Sequence, residues 1–103
     1  MSFDKIVKND YGQVAQITFI DIDTDAAADI SFYTTAIKMI FTSPTGAETA
    51  KTATFETDGS DGVIEYTIES GLLNASGEWA VRGQVTSGSA KLSTIKHNFI
   101  VLG

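Results

Sequence analysis

Residues 58–85 read DGSDGVIEYTIESGLLNASGEWAVRGQV, and this stretch decides the fold. Apolar and polar residues alternate from Val63 to Ser70 and again from Gly77 to Val85. Alternation with a period of two is typical of a strand with one face in a core and the other in water. We therefore predict two strands with inward-facing Ile64, Tyr66, Ile68, Trp79, Val81 and Val85. Leu72 and Leu73, in the corner between them, are expected to close the open end of the core.

Similar stretches occur on both sides of this segment. They predict a short edge strand at Ile6–Val7 and longer strands at residues 13–22, 36–42, 49–57 and 91–102. The alternation slips between Phe19 and Ile20, which predicts a bulge or a strand buried on both faces. About seven strands joined by Gly, Asp and Ser turns, with no helical period, indicate an all-β antiparallel immunoglobulin-like β-sandwich. We expect residues 12–103 to form this single domain, after a lead-in over residues 1–11.

Composition excludes several classes of protein. The 103 residues suit one domain with a modest core. Seven Lys and Arg against thirteen Asp and Glu give a net charge of −6, so binding of nucleic acid through its phosphates is not expected. The absence of cysteine excludes disulfides and thiolate metal sites. No stretch approaches the roughly 18 apolar residues of a membrane span, and the start MSFDKIVKND lacks the apolar run of a signal peptide.

Several short motifs follow one another in an order that is similar to that of a known family. They are Phe19-Ile20-Asp21, Asp29-Ile30-Ser31, Pro44-Thr45-Gly46, the hairpin Asp61-Gly62 leading into Tyr66, the corner Leu73, Gly77 and Trp79, and the final Phe99 and Val101. From about Gly12 to Gly103 the chain resembles the immunoglobulin-like β-sandwich domains of tailed-phage virion proteins, of the N-terminal domain type of baseplate upper proteins.

The resemblance implies a non-enzymatic structural or accessory protein of a phage particle, in the head, neck, tail or baseplate. Such a protein acts through protein–protein contacts, so the implied partners are other virion proteins and further copies of the chain, without nucleic acid or membrane. The implied location is the virion, after synthesis in the host cytoplasm. The resemblance transfers no catalytic residues.

An acidic loop carries the candidate metal ligands. Asp21, Asp23 and Asp25 lie at alternate positions, and Asp29 follows closely. Calcium takes 6–8 oxygen ligands, several of which such aspartates can supply. The Gly and Glu that an EF-hand loop requires at its sixth and twelfth positions are missing. We expect no cofactor, with calcium as the alternative to a solvated loop.

Four residues are candidates for contact with a partner. Arg82 is the lone arginine, and a lone arginine is a common interface anchor. Tyr33 lies outside the predicted core positions. Thr52 and Thr54 lie in the threonine-rich strand over residues 49–57, which suits the edge of a sheet. An edge strand, this one or Ile6–Val7, is able to pair with a strand of a partner.

No catalytic group stands out in the sequence. His97 is the only histidine, and its position predicts a partly buried or strand-end residue in the inward register of Ile95 and Phe99. One His without Cys supports neither a zinc site nor a Ser-His-Asp triad, so we do not expect an enzyme. The alternative function is a small carbohydrate- or calcium-binding β-sandwich module. A sugar platform needs exposed aromatic rings, whereas Trp79 and Tyr66 are predicted to lie in the core.

Overall fold

The computed structural model describes residues 5–21 and 24–103. These residues form eleven strands. They are β1 (Lys5–Val7), β2 (Val14–Thr18), β3 (Ile20–Asp21), β4 (Ala26–Ala27), β5 (Ala36–Thr42), β6 (Glu48–Thr52), β7 (Thr54–Phe55), β8 (Val63–Thr67), β9 (Gly77–Thr86), β10 (Lys91–Ser93) and β11 (His97–Leu102). The described residues include no helix with the length and hydrophobicity needed to cross a membrane. The all-β prediction is confirmed for this part of the chain.

The larger sheet is mixed rather than purely antiparallel. Its strand order is β1-β11-β9-β5-β6, and β10 also pairs with β9. All of these pairs are antiparallel except β1 with β11, where Ile6 lies beside Val101 in a parallel ladder. The prediction of an antiparallel architecture is therefore wrong for this pair. The alternation of apolar and polar residues indicates which face of a strand is buried, but it does not indicate the direction of the neighbouring strand.

The smaller sheet has the order β2-β8-β7, and β3 and β4 form a separate two-stranded hairpin. Strands β6 and β7 are successive halves of the predicted strand over residues 49–57. Between them, Ala53 donates its backbone N–H to the Ile37 carbonyl at 2.9 Å. After this residue the chain leaves β5 and pairs with β8. The strand thus passes from one sheet to the other, and the sheets curl into a half-barrel.

Two other predicted strands are also divided. Phe19 separates β2 from β3; it is 2 % exposed while Ile20 is 51 % exposed, so the strand is not buried on both faces. Between β10 and β11, three residues lie opposite two residues of β9, since Ser93 pairs with Gln84 and His97 pairs with Val81. This one-residue bulge reverses the side on which the side chains lie. Ile95, predicted to face inward, is consequently 79 % exposed.

The core lies inside the half-barrel and draws on both sheets. Its largest fully buried side chains are Phe19, Phe41, Ile17, Ile30, Met39, Ile64, Ile68, Leu73, Val81, Val85 and Val101. Trp79 is buried as predicted, stacks on Phe99 and donates its indole N–H to the Ala75 carbonyl at 2.9 Å. Leu73 is buried and Leu72 packs against the core, so the corner closes it as expected.

Candidate partner-binding edge

The free side of β6, which we call the β6 edge, ends the larger sheet. The β5–β6 hairpin fixes the direction of its backbone groups: Ser43 N–H donates to Ala47 O, and Ala53 N–H donates to Ile37 O, both at 2.9 Å. Because hydrogen-bonded pairs alternate along an antiparallel ladder, Thr49 and Lys51 direct their backbone groups toward β5. Glu48, Ala50 and Thr52 direct theirs away from the sheet. Within the described residues these outward groups meet no backbone partner.

Each charged side chain of β6 is neutralised within the molecule. Glu48 accepts a hydrogen bond from Arg82 at 2.8 Å, and this bond lowers the pKa of the Glu48 carboxyl. Lys51 forms an ion pair with Glu69. The pair raises the pKa of the Lys51 ammonium and lowers the pKa of the Glu69 carboxyl. The β6 edge therefore presents little uncompensated charge to an approaching strand.

A polar cavity of about 500 Å³ lies beside β6. Lys51 and Glu69 line it together with Ser43, Thr49, Asn74 and the indole of Trp79. The hydroxyl of Tyr66 donates to Glu69 at 3.0 Å, which helps to hold this carboxylate in place. Trp79 is only 4 % exposed, so its ring contributes to the wall and does not form an open stacking platform.

The structure brings together two of the four predicted partner-binding residues. Arg82 pairs across the ladder with Ile40, which in turn pairs with Ala50 of the β6 edge. Thr52 lies one row further and accepts a hydrogen bond from the Lys38 ammonium at 3.3 Å. Arg82 and Thr52 therefore share one face of the larger sheet.

Thr54 and Tyr33 lie elsewhere. Thr54 is exposed in β7 of the smaller sheet, opposite Glu65. Tyr33 packs against the core, with its ring 5.7 Å from that of Phe32 in an edge-to-face contact. The threonine-rich strand does not present one continuous face, because it changes sheets at Ala53.

The acidic loop is only partly within the described residues. Asp23 lies outside them, and Asp21 and Asp25 are exposed. Asp29 accepts hydrogen bonds from the backbone N–H and the hydroxyl of Ser31, which lower the pKa of its carboxyl. Among residues 5–21 and 24–103, no group of three or more acidic, His or Cys side chains is placed to hold a metal ion. Calcium binding stays a prediction.

A second acidic loop, with Asp58 and Asp61, lies at the same end of the molecule as the first. Ile30 donates its backbone N–H to the Gly59 carbonyl at 2.8 Å. Asp58 accepts two hydrogen bonds from Ser60, in the same arrangement that Asp29 makes with Ser31. Both carboxylates therefore serve to fix their own turns.

His97 lines a second, more apolar groove of about 370 Å³. It is the first residue of β11 and is half-buried, as predicted. The exposed side chains of Ile20 and Ile95 border the same groove. The sequence did not indicate it, since the bulge that exposes Ile95 leaves no distinct residue pattern.

Sequence reasoning also missed Asp10, which closes the opposite edge of the larger sheet. Val7 donates its backbone N–H to Asp10 Oδ2 at 3.1 Å, and Asp10 N–H donates to the Val7 carbonyl at 2.9 Å. Asn9, between them, adopts a positive φ of 70°. The Asn-Asp pair was an available signal, because both residues favour tight turns.

Comparison of the chain with known proteins identifies no relative. No protein-family model matches the chain, and no curated protein or solved structure matches it. The resemblance to phage domains rests on the motifs quoted above.

Proposed function

We propose that the chain is an immunoglobulin-like β-sandwich that serves as a non-enzymatic structural or accessory protein of a phage particle. Strand order supports the immunoglobulin-like assignment. Immunoglobulin sandwiches combine a sheet containing strands B, E and D with a sheet containing G, F, C and C′. The orders β2-β8-β7 and β11-β9-β5-β6 correspond to these two sets.

The β6 edge is the observation that carries a role in protein–protein contact. An exposed row of backbone N–H and C=O groups is a ready template for a strand of another chain. Here the row extends over Glu48, Ala50 and Thr52, and the charges beside it are neutralised by Arg82 and Glu69. Of the residues predicted to contact a partner, Thr52 belongs to this row, and Arg82 lies on the same face of the sheet, two strands away.

The test is quantitative mass spectrometry of phage particles purified from the source that encodes the chain. A virion component co-purifies with the capsid proteins through a density gradient, at a fixed copy number per particle. Recovery of the protein only in the soluble lysate, with none in intact particles, would contradict the proposal.

The polar cavity beside β6 favours carbohydrate binding as a second candidate. A paired ammonium and carboxylate, with hydroxyls and Asn74 around them, offer donors and acceptors to sugar hydroxyls. Trp79 is the only tryptophan, so its fluorescence reports directly on this cavity. Titration with mono- and disaccharides should shift the Trp79 emission in the wild type but not in Glu69→Gln. An unchanged spectrum across the series removes this candidate.

A further inference from the structure

We propose that two copies of this chain pair through their β6 edges, as an antiparallel two-fold dimer centred on Ala50. The inference goes beyond the proposed function, because it specifies the second copy as occupant of the edge and fixes the register of pairing. It uses the same edge as the proposed function, but it concerns the isolated protein in solution.

The backbone of β6 supplies the hydrogen bonds for this pairing. Outward-pointing groups recur at every second residue, at Glu48, Ala50 and Thr52. In the register centred on Ala50, Ala50 pairs with the partner's Ala50, and Glu48 pairs with the partner's Thr52. Every outward residue of one strand then meets an outward residue of the other. The two larger sheets become one continuous sheet across the two-fold axis.

Five two-fold registers keep outward residues opposite outward residues, with the axis at Glu48, Thr49, Ala50, Lys51 or Thr52. A two-fold axis at Glu48 places two carboxylates directly opposite each other, which is destabilising. An axis at Thr52 requires pairing beyond Ala53, where the chain has turned into the smaller sheet. An axis at Lys51 places two ammonium groups opposite each other. An axis at Thr49 leaves Thr52 opposite Gly46, which lies in the turn outside β6. Only the axis at Ala50 pairs all three outward residues within β6 without opposing like charges.

The same register brings opposite charges within reach. Glu48 meets the partner's Thr52, and the ammonium of the partner's Lys38 lies against that threonine, as it does within one protomer at 3.3 Å. Thr49 meets the partner's Lys51, so no like charges face each other. On a chain with a net charge of −6, a locally neutral edge is where a second copy meets little repulsion.

The opposite edge of the larger sheet does not offer the same pairing. Asp10 occupies both the N–H and the C=O of Val7, which point away from β11. A second copy that approaches β1 must first displace this turn. The β6 edge needs no such rearrangement.

The first experiment is sedimentation velocity over a wide range of concentration, on the wild type, Ala50→Pro and Ala50→Ser. Proline removes the outward N–H of Ala50, which donates to no backbone group in the described part of the chain, whereas serine keeps it. We expect a concentration-dependent dimer for the wild type and Ala50→Ser, and dimerisation weakened at least about tenfold in Ala50→Pro. Circular dichroism and the melting temperature of the dilute protein show whether each variant is folded.

The second experiment is a disulfide cross-link, which the absence of cysteine makes unambiguous. Two cysteines on the axis at a hydrogen-bonded pair have Cα atoms about 5.5 Å apart, within the range that a disulfide spans. Oxidation should link Ala50→Cys into a dimer rapidly. Thr67→Cys, an exposed strand position of the smaller sheet, should stay largely unlinked under the same conditions.

A wild type that stays monomeric at all concentrations overturns the proposal. A dimer that persists unchanged in Ala50→Pro, or equal cross-linking of both cysteine variants, also overturns it. These outcomes are independent of the particle analysis. A protein that is monomeric in solution but present in purified particles would refute the dimer alone. A protein that dimerises in solution but is absent from particles would refute the virion role alone.

Discussion

The two edge strands of the larger sheet, β1 and β6, differ in how their outward backbone groups and their side chains are bound. In β1, Ile6 is 2 % exposed in the core, and both outward groups of Val7 are bound by Asp10. In β6, four of five residues are exposed, and the outward groups of Glu48, Ala50 and Thr52 have no backbone partner among residues 5–21 and 24–103. The charged side chains of β6 are engaged by Arg82 and Glu69.

The difference shows that an edge strand is stabilised either from its backbone or from its side chains. Asp10 caps the outward groups of Val7, so another strand cannot pair with β1 at this residue without displacing the turn. The ion pairs of β6 hold the strand to its own sheets but leave its backbone free. An edge that is held in place yet unpaired is suited to a partner, which is why we assign contact to β6.

The largest expected effect is on the free energy of unfolding, because β1 has a side chain in the core and β6 is largely exposed. Ile6→Ala removes a side chain from the core and should lower the free energy of unfolding by about 3 kcal/mol. The matched change at the other edge, Thr52→Ala, should cost less than about 0.5 kcal/mol, because Thr52 is exposed. Urea unfolding of both variants measures the difference. Similar losses would mean that β1 is not anchored through the core.

The next effect concerns the cap on β1. Asp10→Ala leaves the Val7 N–H without its acceptor and should cost about 1 kcal/mol. Asp10→Asn keeps a side-chain oxygen at the same position and should retain most of that stability. Thermal unfolding compares the two variants. An equal loss in both would show that the oxygen of residue 10 does not serve as the cap.

A smaller effect is the pH dependence of the ion pair beside β6. Lys51 and the Tyr66 hydroxyl hold the pKa of the Glu69 carboxyl below its ordinary value of 4.5. The folded state therefore gains stability above pH 4.5, and the gain is lost as the pH falls through the lowered pKa. Glu69→Gln should flatten the acid side of the melting-temperature profile. An unchanged slope would show that the ion pair does not stabilise the fold.

Glu56 is a control for Glu69, because its pKa is shifted in the opposite direction. Its hydrogen bond and proximity to Asp61 raise the pKa of the Glu56 carboxyl. The charged form is thus disfavoured in the folded state, and folding loses stability as the pH rises through the unfolded and then the raised folded pKa. Glu56→Gln should raise the melting temperature slightly at neutral pH, whereas Glu69→Gln should lower it.

The sequence predicted β5 and β9, which lie inside the larger sheet. The predicted bounds of residues 36–42 agree with β5, and the alternation around Trp79 locates β9. The slip at Phe19 was located, whereas the break at Ala53 and the bulge before His97 were not. At Phe19 and Ala53 the strand changes its partner, a property of the assembled sheets and not of the local pattern.

The candidate site was predicted less completely than the fold. Arg82 and Thr52 were chosen for separate reasons, and the register of β9, β5 and β6 brings them to one face. Thr54 was expected in the same strand as Thr52 but lies in the other sheet. Every second residue of β6 directs its backbone groups away from β5, and the pairing register decides which residues these are. A slip of the register by one residue would exchange the two sets.

Hydrogen exchange of individual amides, followed by NMR, tests the difference between the edges most directly. In dilute protein we expect fast exchange at Ala50 and Thr52, and slow exchange at Thr49, Lys51 and the capped Val7. At high concentration Ala50 should gain protection while Val7 stays unchanged. Slow exchange at Ala50 in the dilute monomer, or unprotected exchange at Val7, would contradict an open β6 edge and a closed β1 edge.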